Sequence, residues 1–315
     1  MEIVTTSGAA APPPGGSAVT IGAYDGVHLG HRALLAELRR RAQADGLATV
    51  VVTFDRHPAS VVRPDSAPAL LCDLDQKLEL LASAGVDRTV VIRFDEERAN
   101  ETAEDFVAGE LVAGLGARLV VVGEDFHFGH GRKGNVALLT EMGADAGFAV
   151  DGVPLSSEDG DGPGALPVSS TRIRDLVASG RVAEAAELLG RPHQVRGPVV
   201  TGDRRGGSEL GYPTANIQTQ ADQALPVDGI YATRTRLGDA TYDSATYIGT
   251  SPTFDGQKRI IEVLLFDFDS DIYGEQIAVE WVDMVRGDRK FPNAEALQAQ
   301  MAKDVEKAKR VLAEA

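Results

Sequence analysis

Cysteine, tryptophan and positive charge are all scarce in this chain. One cysteine, Cys72, among 315 residues excludes an intramolecular disulfide and a zinc site built on several thiolates. Lys and Arg number 31 against 47 Asp and Glu, a formal net charge of -16, which opposes general binding to nucleic acid or acidic membrane surfaces. No apolar run is long enough to span a bilayer. The opening Met1–Ser17 holds Ala-Pro-Pro-Pro-Gly-Gly but no basic stretch ahead of an apolar core, so residues 1–18 read as a disordered tail, not a signal peptide. These absences predict a cytoplasmic protein whose partners are small molecules, with no nucleic acid and no membrane; a monomer or weak oligomer is expected, though nothing in the sequence sets the oligomeric state. An anionic substrate must then find local cations, and Arg32, Arg132, Lys133, Arg172 and Arg174 can supply them.

What is present begins with a core: 43% of the residues are hydrophobic, and the length suggests about two domains. From Val19 to about Gly190, apolar β-branched runs (Ala48–Phe54, Thr89–Phe94, Arg118–Gly123) alternate with helical spacing around Leu34–Ala44, Gln76–Ala84 and Ala103–Ala113. This predicts an α/β domain with a parallel sheet and helices on both faces. Ligands of such sheets bind beyond the strand C-termini. From about Gln194 to Val285 the texture changes to short, turn-punctuated alternating strands (Gln194–Thr201, Ile230–Arg236, Asp243–Ile248, Arg259–Phe266, Gln276–Val285). They predict a small antiparallel β-barrel. A helix from about Ala294, capped by Asn293, closes the chain, with Leu297, Met301, Val305 and Leu312 expected as core contacts. The expected domains are 19–190 and 191–315.

Chemistry concentrates in four stretches. After the first apolar run, Gly22-Ala23-Tyr24-Asp25-Gly26-Val27-His28-Leu29-Gly30-His31 sets two imidazoles at a helix N-terminus, where free N–H groups and the dipole favour phosphate and a glycine admits a bulky anion. Gly123–Gly134, containing Asp125, Arg132 and Lys133, reaches the same sheet edge and can wrap a base or phosphate. After the loop Ser156–Pro167, Ser169-Ser170-Thr171-Arg172-Ile173-Arg174 starts a helix with more hydroxyls than capping needs, suited to clamping outer phosphates. In the barrel region, Gly202–Asn216 is glycine-rich and cationic. It is not a Walker A loop, but its glycines beside arginines can present N–H groups to a polyphosphate. There Thr214 and Asn216 offer two oxygens on one side of an extended segment, suited to Mg²⁺. Glu262, in a mostly apolar strand, is positioned to serve as a base on a substrate hydroxyl.

Taken together, these motifs resemble the prokaryotic bifunctional riboflavin kinase/FMN adenylyltransferase family, also called FAD synthetases, over nearly everything from Val19 onward. The resemblance implies a Rossmann-like nucleotidyltransferase domain followed by a riboflavin kinase barrel, with ATP as co-substrate, Mg²⁺ as cofactor, and riboflavin, FMN and FAD as substrates or products. In the first domain it implies that His28 and His31 stabilise phosphate charge and that Ser170, Thr171 and Arg174 hold the β- and γ-phosphates. Gly22, Tyr24, Gly30 and Asp125 complete that ATP site. In the barrel it implies ATP held by Gly202, Arg205, Gly207, Gly211 and Pro213, metal at Thr214 and Asn216, and Glu262 as base on the riboflavin 5′-hydroxyl. Tyr24, Arg56, Ser208 and Leu264 stand where the family commonly has Phe, Pro, Arg and His. Two other readings fit parts of the pattern: a single-activity nucleotidyltransferase with an appended flavin-binding module, and a flavin-binding regulator without catalysis.

Overall fold

The computed structural model describes residues 1–5, 11–154, 168–201, 212–253 and 256–315. Gly202, Arg205, Gly207 and Gly211, and the loop Ser156–Pro167, lie outside them. Contacts divide the chain into two units, Met1–Ser170 and Thr171–Ala315.

The first unit runs β1 (Glu2–Thr5), β2 (Ser17–Ile21), α1 (Leu29–Asp45), β3 (Ala48–Phe54), α2 (Ala59–Val62), α3 (Leu74–Ser83), β4 (Arg88–Ile92) and α4 (Glu96–Ala99). It continues through α5 (Ala103–Phe106), which passes into a π-helix over Val107–Gly114, then β5 (Ala117–Gly123), the two-residue strands β6 (His127–Phe128) and β7 (Gly134–Asn135), α6 (Val136–Ala146) and β8 (Ala149–Val153). Six parallel strands lie in the order β1-β4-β3-β2-β5-β8. Every residue of β2 is buried, because apolar layers cover both faces: Val19, Val50 and Val120 pack against Phe106 and Leu139, while Ala18 and Val121 pack against Leu38 and Ala42 of α1. The order reverses between β2 and β5, so the crevice beyond their C-termini is the binding edge expected of an open parallel sheet.

Residues 1–18, expected as a disordered tail, differ from that expectation in part. Glu2–Thr5 pairs parallel with β4 as the sheet's edge strand, and Ser17 and Ala18 open β2. Pairing with β4 gives the short strand its ladder from a segment more than 80 residues away, a partner no local pattern announces.

In the second unit, α7 (Ser170–Ala178) starts at the division and α8 (Val182–Leu189) follows. Strands β9 (His193–Val200), β10 (Ala215–Ile217), β11 (Gly229–Leu237), β12 (Ala240–Thr253), β13 (Gly256–Leu265) and β14 (Gln276–Gly287) close a barrel in the order β10-β13-β12-β11-β14-β9. Val195, Ile248, Val263, Val279 and Trp281 fill its interior, joined by Val182 of α8. That packing explains why the division falls ahead of the expected boundary at 190. The last helix, α9 (Ala294–Glu314), capped by the Asn293 side chain on the Ala296 N–H, lays Ala308 and Leu312 over Ala232, Ala245 and Val285 on the barrel's outer face.

Candidate functional site

In the first unit, the turn between β2 and α1 is held in a backbone shape that side chains resist. Tyr24 and Val27 both have positive φ, 49° and 39°, and a β-branched residue there marks strain sustained by its surroundings. Gly22 precedes the turn, where a Cβ would meet the Tyr24 ring at 3.1 Å. Asp25, buried, accepts the Leu71 N–H at 2.9 Å and the Cys72 N–H at 3.3 Å, while Cys72 Sγ accepts the Gly26 N–H. Buried Lys77 donates from α3 to the Ala23 and Phe54 carbonyls at 3.3 and 2.7 Å.

His28 caps α1: its Nδ1 accepts the His31 N–H at 3.3 Å, and the two rings stack with centroids 3.6 Å apart. Tyr24, its hydroxyl paired with Thr20 Oγ1 at 2.7 Å, packs tilted against the His31 ring, centroids 5.0 Å apart. Burial raises the Tyr24 phenol far above its ordinary range, so it stays protonated. Burial, and then the charges of His28 and Lys77, push the His31 imidazole well below the usual histidine range. Its Nδ1 is sealed from solvent with no hydrogen-bond partner among the described residues. A Cβ on Gly30 would meet His28 and the Val168 carbonyl at 3.2 Å, so backbone approaches closely there. Ser170 Oγ donates to the Asp25 carbonyl at 3.0 Å, which brings the start of the Ser169–Arg174 motif to the histidine turn. Thr171, exposed, and Arg174, half-buried, follow on α7 beyond the division. Asp125 lies exposed just past β5, its carbonyl paired with His127 Nδ1.

In the second unit, strand register sets the candidate residues beside one another. Asn216 of β10 stands opposite Glu262 of β13, and Glu262 stands opposite Tyr247 of β12. Cross-strand partners share a face, so Asn216, Glu262 and Tyr247 form one row, turned away from the interior that Val263 and Ile261 fill. Glu262 and Tyr247 line a cavity of about 340 Å³ between the barrel and α9, with Arg286, Phe291 and Met301. A second cavity, of about 430 Å³, is lined by Val199, Pro213, Phe268 and Asp271. Thr214 borders both. Burial, then the carboxylates of Asp288, Asp228 and Glu262, raise the Tyr247 phenol.

Leu297 and Met301 of α9, expected as core contacts, line the Glu262 cavity instead; Val305 borders that cavity while packing against the cluster in which Leu312 is buried, as expected of both. Spacing identifies the apolar face of a helix but not whether it meets packed side chains or a ligand. Lys77 and Asp25 drew no functional expectation, since their partners lie 23 to 54 residues away on other elements.

A FAD synthetase family model matches residues 11–172, and a riboflavin kinase model matches residues 189–312. The chain is 38% identical to the bifunctional riboflavin kinase/FMN adenylyltransferase of Escherichia coli K12, over 92% of this chain and 90% of that one. It is 37% identical to the protein of the same name in Haemophilus influenzae, over 93% and 94%. A crystal structure titled a macrolide-efflux protein from Streptococcus pneumoniae matches with a TM-score of 0.86 at 31% identity, covering 98% of this chain and 99% of that one. Among the described residues, no helix is long and apolar enough to cross a membrane.

Proposed function

The chain belongs to the bifunctional riboflavin kinase/FMN adenylyltransferase family, and from that premise we propose how its two units divide the work. The enzyme phosphorylates riboflavin to FMN with ATP and then adenylylates FMN to FAD, releasing pyrophosphate. In our reading the barrel unit performs the first step and the parallel-sheet unit the second.

For phosphorylation, riboflavin takes the cavity with Glu262, and ATP approaches through the cavity on the other side of Thr214. The observation that carries this is the shared Thr214 wall beside the Asn216–Glu262 pair. Glu262 accepts the proton of the 5′-hydroxyl as its oxygen attacks the γ-phosphorus, and ADP leaves. A hydroxyl and an amide oxygen, on Thr214 and Asn216, form a hard donor pair that fits Mg²⁺. When bound, that ion would neutralise charge developing on the transferred phosphoryl group.

For adenylylation, an FMN phosphate oxygen attacks the α-phosphorus of a second ATP. His28 and His31 sit at the α1 N-terminus, and the orphaned Nδ1 of His31 fits a site completed by a polar substrate. Ser170 adds a hydroxyl at the same turn, and Gly22, Tyr24 and Gly30 shape it; Asp125, Thr171 and Arg174 are assigned to the same ATP. No covalent intermediate is required, because orientation and charge stabilisation supply the acceleration. The same reading has the enzyme working in the cytoplasm as a monomer or weak oligomer, without a nucleic-acid or membrane partner; the net charge of -16 supports the exclusion of polyanions.

Incubation with riboflavin, ATP and Mg²⁺, followed by chromatographic separation of flavins, tests the reading. FMN and FAD should both form. FAD from added FMN, with no FMN from riboflavin, would favour a transferase carrying a flavin-binding module.

A further inference from the structure

A lysine buried inside a sheet-and-helix layer is uncommon unless something needs its charge. Lys77 is 7% exposed, and no step above uses it. It lies under the β2–α1 turn, where its Nζ reaches two carbonyls on neighbouring chain segments: Phe54 O at the end of β3 and Ala23 O in the turn itself. Thr53 Oγ1 donates to the same Ala23 oxygen at 3.2 Å. With Asp25 gripping the N–H groups of Leu71 and Cys72, residues 71–77 hold the turn at several points. The positive φ values of Tyr24 and Val27 persist only while such ties over-determine the backbone. Burial lowers the Lys77 ammonium, and the charges of Cys72, Asp25 and Asp55 draw it back up. It is close enough to His31 to bias that ring.

We propose that Lys77 is a positioning residue for adenylyl transfer: it ties the turn that carries His28 and His31 to the end of β3, and sets a fixed positive charge beneath the triphosphate. The inference rests on the histidine turn being the adenylylation site. A tie that only stabilised the fold would change the amount of folded enzyme. One that shapes a phosphate cradle changes how ATP is held.

The test uses the full chain with Lys77→Met, which removes donors and charge, and Lys77→Gln, which keeps two N–H donors without charge. His31→Asn serves as the control for the site itself. FMN adenylylation is measured against ATP concentration, with riboflavin phosphorylation recorded on the same preparations. Both Lys77 variants should raise KM for ATP in adenylylation, about tenfold for Met and less for Gln, with phosphorylation unchanged. If Lys77→Met leaves the first unit unfolded, Lys77→Gln carries the test. An unchanged ATP KM in the folded variants, with only kcat reduced or nothing reduced, overturns the inference. Full adenylylation by His31→Asn would instead overturn the assignment of the site.

Discussion

At the scale of single residues, one imidazole of the first unit makes stability depend on pH. His31 is held neutral by burial and by neighbouring charge, well below its ordinary value. The unfolded chain, with an ordinary histidine, takes up a proton near pH 6.5. Between that pH and the folded value the unfolded state binds more protons, so His31 erodes stability as pH falls and costs nothing above it. Chemical unfolding of the first unit from pH 7.5 to 5 should therefore show a shallower acid decline in His31→Asn than in the parent chain. Gly30 separates space from stability in the same way. Alanine is the better helix former by up to about 1 kcal/mol, less in a first turn. Yet its Cβ would press on His28 and the Val168 carbonyl. Gly30→Ala should change the unfolding midpoint little, the close contact offsetting the helix gain, while cutting FMN adenylylation about tenfold, because small misplacements of a phosphate-handling group are expensive. The histidine turn was legible as a candidate because its motif is contiguous, and Glu262 because a carboxylate stands out in an apolar strand; the row it forms with Asn216 and Tyr247 comes only from strand register. Asp25 and Lys77 were not legible, because their meaning lies in partners supplied by other elements.

At the scale of elements, α9 is bound to the barrel by an ion pair between half-buried Arg286 and buried Asp304 as well as by apolar packing. Arg286 of β14 grips Asp304 with both Nε and Nη2, at 3.0 and 2.8 Å, and Gln300 donates to the same carboxylate at 2.7 Å. The Arg286 guanidinium also lies over the Phe291 ring at the cavity that holds Glu262. Removing one partner of such a pair strands the other charge, at a cost of about 3 kcal/mol. Asp304→Ala should lower the stability of the barrel unit by roughly that amount. It should also raise the riboflavin KM and leave FMN adenylylation untouched, as read by denaturant unfolding and by the two assays on one preparation. Periodicity foretold α9 and its Asn293 cap. It did not foretell that Leu297 and Met301 line a cavity, since an apolar stripe is the same whether it meets core or ligand. The strand β1 escaped notice for a related reason: four residues with an exposed Ile3 become a strand only through β4.

At the scale of the whole molecule, the fold class was legible because the hydrophobic period changes along the chain. Continuous apolar runs give the covered parallel sheet, and alternating ones give the barrel. The division near residue 170 was less so, because α7 and α8 look like the helices before them and join the barrel unit only through contacts such as Val182 with its interior. Two separate phosphate-handling sites make a demand that no single-site account shares. FMN made by one unit must be usable by the other, even on a different molecule. The direct test mixes two full-length variants, Glu262→Gln and His31→Asn, with riboflavin, ATP and Mg²⁺. Alone, Glu262→Gln should form almost no FMN, with phosphorylation reduced about a hundredfold or more, yet convert added FMN to FAD. His31→Asn should accumulate FMN. Mixed, the two should restore FAD from riboflavin. Loss of both steps in either folded variant, or a mixture that makes no FAD, would contradict two independent sites.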